Sequence, residues 1–350
     1  MLRISQFCVL IAVILCTQAQ AVDLYSGEVA VAEQSAAERQ SAVQGALLQV
    51  LQKHSGLREL PLQPALDRAL RNASRMLLSF HYRSHERAQT DGDVDTEMRL
   101  VASFLPQAVD EVVQELELPR WRKERRPVTL WVLVDDGFGR RLMPMEYAYA
   151  WDALSDVAKV RGLPIQWPDL DEAQRDAVDL QLLWGGFTDE VQSPQDSSAG
   201  VVIVAARREG SVWNVRWNFG GAERTAGWRI RDRDLGFALV DGLHRLVDFI
   251  ASRDAIAPSE QGDWRFDMRV AGLRDAADYA RCLAYLEGLS VVDGLDVIEA
   301  GPGEVMFSLE LNAMPTYLLS ELERDRVLWP DAEVASRYVL TPRQGAGPTE

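Results

Sequence analysis

The segment LVDDGFGRR combines residue types that could bind a ligand or move a proton. Asp135 and Asp136 could ligate a metal ion or act as acid and base, Gly137 and Gly139 would let a ligand approach the backbone, and Arg140 closes the same loop. The preceding run VTLWVLV predicts a buried strand, and α/β proteins place their sites at the carboxyl ends of such strands. No glycine-rich phosphate motif accompanies the loop, and Asp-Asp-Gly is also common turn sequence. A ligand-binding loop and a structural turn both remain open.

The four histidines do not converge on a metal site in the sequence. His81 and His85 have HxxxH spacing, but the residues around them alternate between apolar and polar and predict a strand. Four strand residues span roughly 13 Å, which is too far for one ion to bridge. His54 ends the apolar side of a helix, where the helix dipole favours a cation, and His244 fits the polar face of another helix. We therefore expect no metal, no cofactor and no catalytic residue.

The first 21 residues have the features of a secretory signal peptide. Arg3 is followed by the apolar run Phe7–Cys16, and the triplet ending at Ala21 fits the small-x-small rule for cleavage after that residue. The run is shorter than the roughly 20 apolar residues that cross a bilayer. We expect an exported chain whose one remaining thiol, Cys282, is buried and cannot form an intramolecular disulfide.

The charge of the chain excludes classes of partner. Its formal net charge is −16, which repels the phosphates of nucleic acids and anionic lipid surfaces. No later segment is long and apolar enough to predict a transmembrane helix. These observations leave proteins and small ligands as partners.

Residues 22–120 predict a module with the element order β-α-β-β-α. Its helix, SAAERQSAVQGALLQVLQKHSG, begins at the N-cap Ser35, has a capping-box glutamate at Glu38 and ends before Gly56. Two alternating strands follow, so helices would cover one face of the sheet and leave the other open. This order predicts a ferredoxin-like module.

The open sheet face and one tryptophan are candidates for partner docking. We expect the face to present Ser79, His81, Arg83 and Arg99. Trp121 lies in PRWRKERRP, the one basic run of the chain, which we interpret as a linker. A solvated face is the alternative to a docking surface.

Two further modules are predicted after the basic run. Residues 127–254 predict an α/β domain with a mixed sheet, including a strand at Leu180–Trp184 and a hairpin turning at Glu209-Gly210. Residues 263–342 predict the order βαββαβ of a second ferredoxin-like module. Residues 343–350 predict a disordered tail. The fold class is therefore mixed α+β and α/β.

The stretches YSGEVAVAEQSAAERQSAVQGALLQVLQKHSG, NASRMLLSFHYR and ELPRWRKERRPVTLWVLVDD resemble an exported gammaproteobacterial family called domain of unknown function 2066. That resemblance implies a Gram-negative envelope setting and transfers no catalytic residue. The order of elements in the middle domain, including an LLWGG strand, is similar to the N-terminal domain of TolB. That likeness implies protein contacts within the envelope.

The sequence therefore favours a non-enzymatic periplasmic protein that binds another envelope protein. A periplasmic small-ligand binding protein that uses the Asp135–Arg140 loop is the alternative, and an envelope hydrolase is a third hypothesis. The sequence names neither the partner nor the oligomeric state.

Overall fold

The computed structural model describes residues 23–88, 94–168, 170–191, 198–221, 224–334 and 336–342. The predicted signal peptide with its cleavage site and the predicted tail at 343–350 lie outside these ranges. Within them the chain is a mixed α/β protein with nine α-helices and three sheets, each antiparallel or mixed. None of the helices in the described ranges is long and apolar enough to cross a membrane.

The N-terminal part forms a three-stranded antiparallel sheet in the order β1-β3-β2. Helix α1 begins and ends as predicted, because Ser35 Oγ accepts the Glu38 N–H at 3.2 Å and Gly56 adopts a left-handed φ of 72°. It packs closely on the sheet at Gly27, where a Cβ would lie 2.3 Å from the Ala46 carbonyl oxygen. The elements are β1 Ser26–Ala30, α1 Ala36–Ser55, α2 Pro64–Arg71, β2 Leu77–Ala88, β3 Val94–Phe104 and α3 Pro106–Glu115.

The middle part forms a mixed sheet in the order β5-β4-β7-β8-β9, with β6 beside β4. Strands β4 and β7 are parallel, and the β7–β8 hairpin turns at Gly210 as predicted. The elements are β4 Val128–Asp135, β5 Arg140–Leu142, α4 Ala148–Arg161, β6 Ile165–Gln166, α5 Glu172–Asp176, α6 Leu180–Gly185, β7 Gly200–Glu209, β8 Val212–Gly221, β9 Arg224–Asp232 and α7 Leu235–Asp254.

The strand predicted at Leu180–Trp184 is wrong, since this segment is helix α6. Asp179 caps the helix by accepting the N–H groups of Gln181 and Leu182, and Gly186 ends it in the left-handed region. Its apolar residues pack on one face of the β4 and β7 strands, while α4 and α7 cover the opposite face of the sheet. A run this short is apolar in either conformation, so the caps decide between them.

The C-terminal part forms a five-stranded sheet in the order β11-β12-β10-β14-β13. The ferredoxin-like arrangement is not confirmed, because β14 runs parallel to β10 and β13 adds a further edge strand. Helix α9 returns the chain to β13, and the β13–β14 hairpin then places β14 beside β10. The elements are β10 Gln261–Ala271, α8 Ala276–Gly288, β11 Val292–Gly301, β12 Glu304–Ala313, α9 Pro315–Asp325, β13 Leu328–Pro330 and β14 Arg337–Leu340.

The basic run between the N-terminal and middle parts is firmly hydrogen-bonded to both. Arg125 donates to the carbonyl oxygens of Lys53 and Gly162, each at 2.6 Å, and its guanidinium lies 3.8 Å from the centre of the Trp121 ring. Trp121 itself is buried, and its backbone N–H donates to the His54 carbonyl oxygen at 2.7 Å. The segment that we interpreted as a linker therefore joins α1 to the end of α4.

Candidate functional site: an arginine face on the middle sheet

Asp136, in the predicted ligand-binding loop, is occupied by contacts within the chain. Its carboxylate accepts hydrogen bonds from Arg141 Nη2 at 2.8 Å, the Tyr147 hydroxyl at 2.9 Å and the Phe138 N–H at 3.2 Å. Burial opposes ionisation of Asp136, but these donors outweigh it and lower the pKa of the carboxyl. Asp136 therefore holds the turn between β4 and β5.

The two glycines of this loop form an open hairpin tip. Gly137 and Gly139 have φ angles of 105° and 97°, which favour glycine, and a Cβ at either position would have no neighbour within 4 Å. Phe138 between them is 87% exposed. The glycines allow the backbone conformation of the turn, and no described residue surrounds them to enclose a small ligand.

Asp135 and Arg140 belong to a row of polar side chains that crosses the sheet. Asp135 pairs with Arg140 on β5 and with Arg207 on β7, Arg207 pairs with Asn214 on β8, and Asn214 pairs with Arg231 on β9. Directly opposite residues in neighbouring strands point to the same face of a sheet. Three arginines from three strands are thus presented together, beside a single aspartate.

A second row adds two more arginines to this face. Arg216 on β8 lies between Ala205 on β7 and Arg229 on β9 in the strand register. Opposite Cα atoms in an antiparallel pair are about 4.5–5.5 Å apart, so the two side chains leave the same face of the sheet from neighbouring positions. We call the combined surface the arginine face, and it consists of Arg140, Arg207, Arg216, Arg229 and Arg231.

Positive charge on the arginine face is only partly compensated. Asp135 Oδ2 lies 3.4 Å from Arg207 Nε, and Glu209, on the same face, accepts a hydrogen bond from Asn214 at 2.7 Å. Among the residues that the structure describes, no ion pair joins an acidic side chain to Arg216, Arg229 or Arg231.

Arg216 is the central group of the arginine face. Burial, and then the charges of Arg229 and Arg207, lower the pKa of its guanidinium. Its Nη2 donates to the carbonyl oxygen of Trp184, while its Nε is buried with no partner in the described part of the chain. A carboxylate placed here would meet a partly desolvated donor beside two further cations, Arg229 and Arg207.

Trp184 of α6 supports two of the arginines. The guanidinium carbons of Arg140 and Arg207 lie 4.7 Å and 5.3 Å from the centre of its ring, within cation–π range. Trp184 reaches these arginines because its segment is helix α6, which packs on the face of the sheet that carries them. The stacked side chains are held in place before any partner binds.

The sequence predicted only Asp135 and Arg140 of this surface. The missed arginines occur singly or in alternation, in ARRE, NVRWN and WRIRD. The alternating R-x-R in WRIRD was a usable signal, since alternate strand residues share a face. The arginines come together on one face only through the pairing of five strands, which no local motif predicts.

The docking residues predicted on the N-terminal sheet are largely engaged within the chain. Arg99 is 12% exposed and donates to Asp156 of α4 at 2.8 Å. Burial opposes ionisation of Asp156, but Arg99 outweighs it and lowers the pKa of that carboxyl. Arg83 donates to Glu28 at 2.8 Å, while His81 and Ser79 are exposed.

Trp121, the remaining docking candidate, is buried at the junction between the N-terminal and middle parts and is 3% exposed. It packs against elements of its own chain through the contacts described above. A partner would not reach its ring without disrupting that junction.

His54 does not carry the positive charge expected from its place at the end of α1. It is 6% exposed, and burial, followed by the charges of Arg125, Lys123 and Arg120, lowers its pKa to about 3. Desolvation therefore outweighs the helix dipole, and the imidazole is neutral. No three metal-ligating side chains cluster anywhere in the described ranges.

The comparisons correct the predicted family. A family model described as domain of unknown function DUF8605 matches residues 19–122. The predicted resemblance to domain of unknown function 2066 is wrong, because the matching model is a different one. The likeness to TolB also loses one of its supports, since the LLWGG segment is helical.

No curated protein matches this chain. A crystal structure titled as an uncharacterized protein is 11% identical and covers 37% of this chain and 99% of its own, with a TM-score of 0.13. Two structures of prolyl-tRNA synthetase from Cryptosporidium parvum are each 8% identical, cover 63% and 64% of this chain and 50% of their own, and have TM-scores of 0.17 and 0.18. Likeness at these scores transfers neither fold nor function.

Proposed function

We propose that this chain is a non-enzymatic periplasmic protein that binds an acidic segment of a partner protein on the arginine face. The observation that carries the proposal is the positive charge of Arg216, Arg229 and Arg231, which form no ion pair with a described acidic residue, on a chain of net charge −16. The periplasmic location is supported by the signal-peptide features of residues 1–21.

Arginine suits this role for a chemical reason. A guanidinium presents its donors in a planar fork that matches a carboxylate, and it is weakly hydrated compared with an ammonium group. The arginine face places three such forks on adjacent positions of β8 and β9. A carboxylate between them would satisfy the buried Arg216 Nε and relieve the repulsion among the cations.

The experiment measures binding of a fluorescein-labelled acidic peptide to the full chain by anisotropy. The test variant changes Arg216, Arg229 and Arg231 to Gln. The matched control changes Arg68, Arg71 and Arg75, which are exposed on and just after α2, to Gln, so that both variants lose the same charge.

We expect the test variant to lose affinity by tenfold or more, while the control stays within about twofold of wild type. An equal loss in both variants would show that only net charge matters, and no binding to wild type would overturn the proposal. A nucleic acid of equal charge is included, and we expect it to bind no better than the peptide.

We also propose that residues 22–120, 127–254 and 263–342 are separate domains and that the two outer domains share a ferredoxin-like core. The strand orders support this proposal. In the N-terminal part β3 lies between β1 and β2, and in the C-terminal part β12 lies between β10 and β11, so in both parts a third strand is inserted between the two strands of a β-α-β unit. Folding of residues 263–342 expressed alone, followed by circular dichroism, tests this division.

A further inference from the structure

Strand β9 is the edge of the middle sheet on the side where the arginine face ends. It pairs with β8 along residues 224–232, and no strand of the described ranges pairs with its other side. An edge strand presents a row of backbone N–H and C=O groups that another polypeptide can extend. A lipid or polyanion cannot satisfy such a row.

Along residues 228–231 of β9, apolar side chains on one face alternate with arginines on the other. Arg229 and Arg231 are exposed on the arginine face, while Trp228 and Ile230 are half-buried on the other face, where they pack against the core. Trp228 is held by stacking on Trp217 at 5.8 Å between ring centres. An added strand would meet cations on one face and apolar surface on the other.

The spacing of the two arginines fits an extended partner. Residues two apart in a strand are separated by roughly 6.6 Å on one face. Acidic residues at alternate positions of an extended segment have the same separation, so two carboxylates could face Arg229 and Arg231 together. The residue between them would lie beside Ile230, which favours a β-branched or aromatic side chain.

A second copy of this chain is a poor occupant of the edge. Pairing of two β9 strands in opposite directions about Ile230 would set Arg229 of each copy against Arg231 of the other. Like charges placed directly opposite are destabilising, and charged edge strands resist self-association for this reason. The edge therefore selects a strand of opposite charge.

We infer that the acidic partner segment binds as an added β-strand along β9, with alternating acidic and apolar residues that match Arg229, Ile230 and Arg231. The inference rests on the proposed function and adds a conformation and a sequence pattern for the partner. Main-chain hydrogen bonds supply affinity in this mode, and the alternate side chains supply specificity.

The first test compares two labelled peptides of equal composition on the full chain. The probe is Gly-Glu-Val-Glu-Val-Glu-Val-Glu-Gly, and its control carries the same residues with the glutamates in one block. We expect the alternating peptide to bind at least about fivefold more tightly, because only it separates charge from apolar surface. Equal affinity of the two peptides would overturn the added-strand inference and leave charge recognition intact.

The second test uses backbone N-methylation of the alternating peptide. Successive amides of a strand point to opposite edges, so one set of alternate N–H groups would face β9 and the other would face solvent. Methylation of one set should reduce affinity by tenfold or more, while methylation of the other set should change it by less than about twofold. Equal effects of the two sets would contradict an added strand.

Amide hydrogen exchange of residues 224–232 gives a readout that does not depend on affinity. We expect the alternating peptide at saturation to slow exchange at alternate β9 positions, since those amides acquire partners. If the peptide binds and its affinity still depends on Arg216, Arg229 and Arg231, but β9 amides gain no protection, the added-strand inference is wrong. The proposed function would stand in that case. Failure of both peptides to bind would reject the proposed function itself.

Discussion

The junction between the N-terminal and middle parts and the arginine face use the same residue type in opposite ways. At the junction, Arg161 is 1% exposed and donates to the Gly56 carbonyl oxygen at 2.8 Å and to Asp248 at 2.7 Å. On the arginine face, Arg229 and Arg231 are exposed and have no ion pair within the described residues. Arg161 Nη2 is thus hydrogen-bonded and paired with a carboxylate inside the fold, whereas Arg229 and Arg231 pair with no carboxylate of the described residues.

This difference shows that the density of charge in the sequence does not indicate which cations lack an acidic partner in the fold. The basic run PRWRKERRP is the densest, yet Arg125 within it is used to join α1 to the end of α4. The arginines of the face are scattered over nearly one hundred positions and meet only through strand pairing. A buried guanidinium has lost its hydration and is costly unless protein groups pair with it. An exposed guanidinium stays hydrated, so it needs no partner within the fold.

The largest expected effect separates the two regions by stability. Arg161→Leu should lower the free energy of unfolding by about 2–4 kcal/mol, because it leaves the buried Gly56 carbonyl without a donor and removes the pair with Asp248. The matched change Arg229→Leu should stay within about 0.5 kcal/mol of wild type. Urea unfolding of the three proteins measures both, and similar losses in the two variants would remove the distinction.

The next expected effect concerns the pH dependence of the junction. His54 has a folded pKa of about 3, held down by burial and by Arg125, Lys123, Arg120 and Lys53, against an ordinary value of 6.5. As the pH falls through 6.5, His54 is protonated in the unfolded chain but stays neutral in the folded chain. Stability therefore falls as the pH drops. Titration of His54 should therefore lower the free energy of unfolding by about 2 kcal/mol between pH 7 and pH 5.

Urea unfolding at both pH values checks this expectation by comparing wild type with His54→Gln. The variant should lose less stability than wild type on acidification. His81→Gln, which removes an exposed imidazole, serves as the control and should follow wild type. His244 has its pKa lowered to about 4 by burial and acts in the same direction, so the measured quantity is the difference between proteins. Parallel losses in all three would contradict the role of His54.

The junction also shows which parts of the fold were predictable. Helix α1 followed from local chemistry, since Ser35 caps it and Gly56 ends it. The neutral state of His54 was not predictable, because it depends on how deeply later parts of the chain bury the helix end. Local signals such as the Asp179 cap and Gly186 would have identified α6 as a helix, but the apolar run outweighed them in our interpretation.

The candidate site was less predictable than the fold. A strand at residues 128–135 and a hairpin at Gly210 follow from apolar runs and turn residues. The arginine face needs, in addition, the order of five strands and their register, and a shift of one residue would send Arg216 into the core. The C-terminal sheet illustrates the same limit, since the number of strands and the direction of β14 were set by one hairpin.

A smaller effect should appear when the charge of the arginine face is reversed at one position. Arg229→Glu places a carboxylate opposite Arg216 in the β8–β9 register and should stabilise the chain by about 0.3–1 kcal/mol. The same variant should bind acidic peptides more weakly, because it replaces a guanidinium of the arginine face by a carboxylate that repels them. Thermal unfolding measures the gain, and Arg68→Glu, which breaks the pair with Glu115, is the control that should gain nothing.

The smallest expected effect distinguishes the two aspartates at the end of β4. Asp135→Asn removes the carboxylate that pairs with Arg207 among the described residues and should raise the affinity for an acidic peptide about two- to threefold. Asp136→Asn should leave that affinity unchanged, because its contacts with Arg141, Tyr147 and Phe138 serve the turn. Anisotropy titrations of both variants test the contrast. An unchanged affinity with Asp135→Asn would place Arg207 outside the binding surface and confine that surface to β8 and β9.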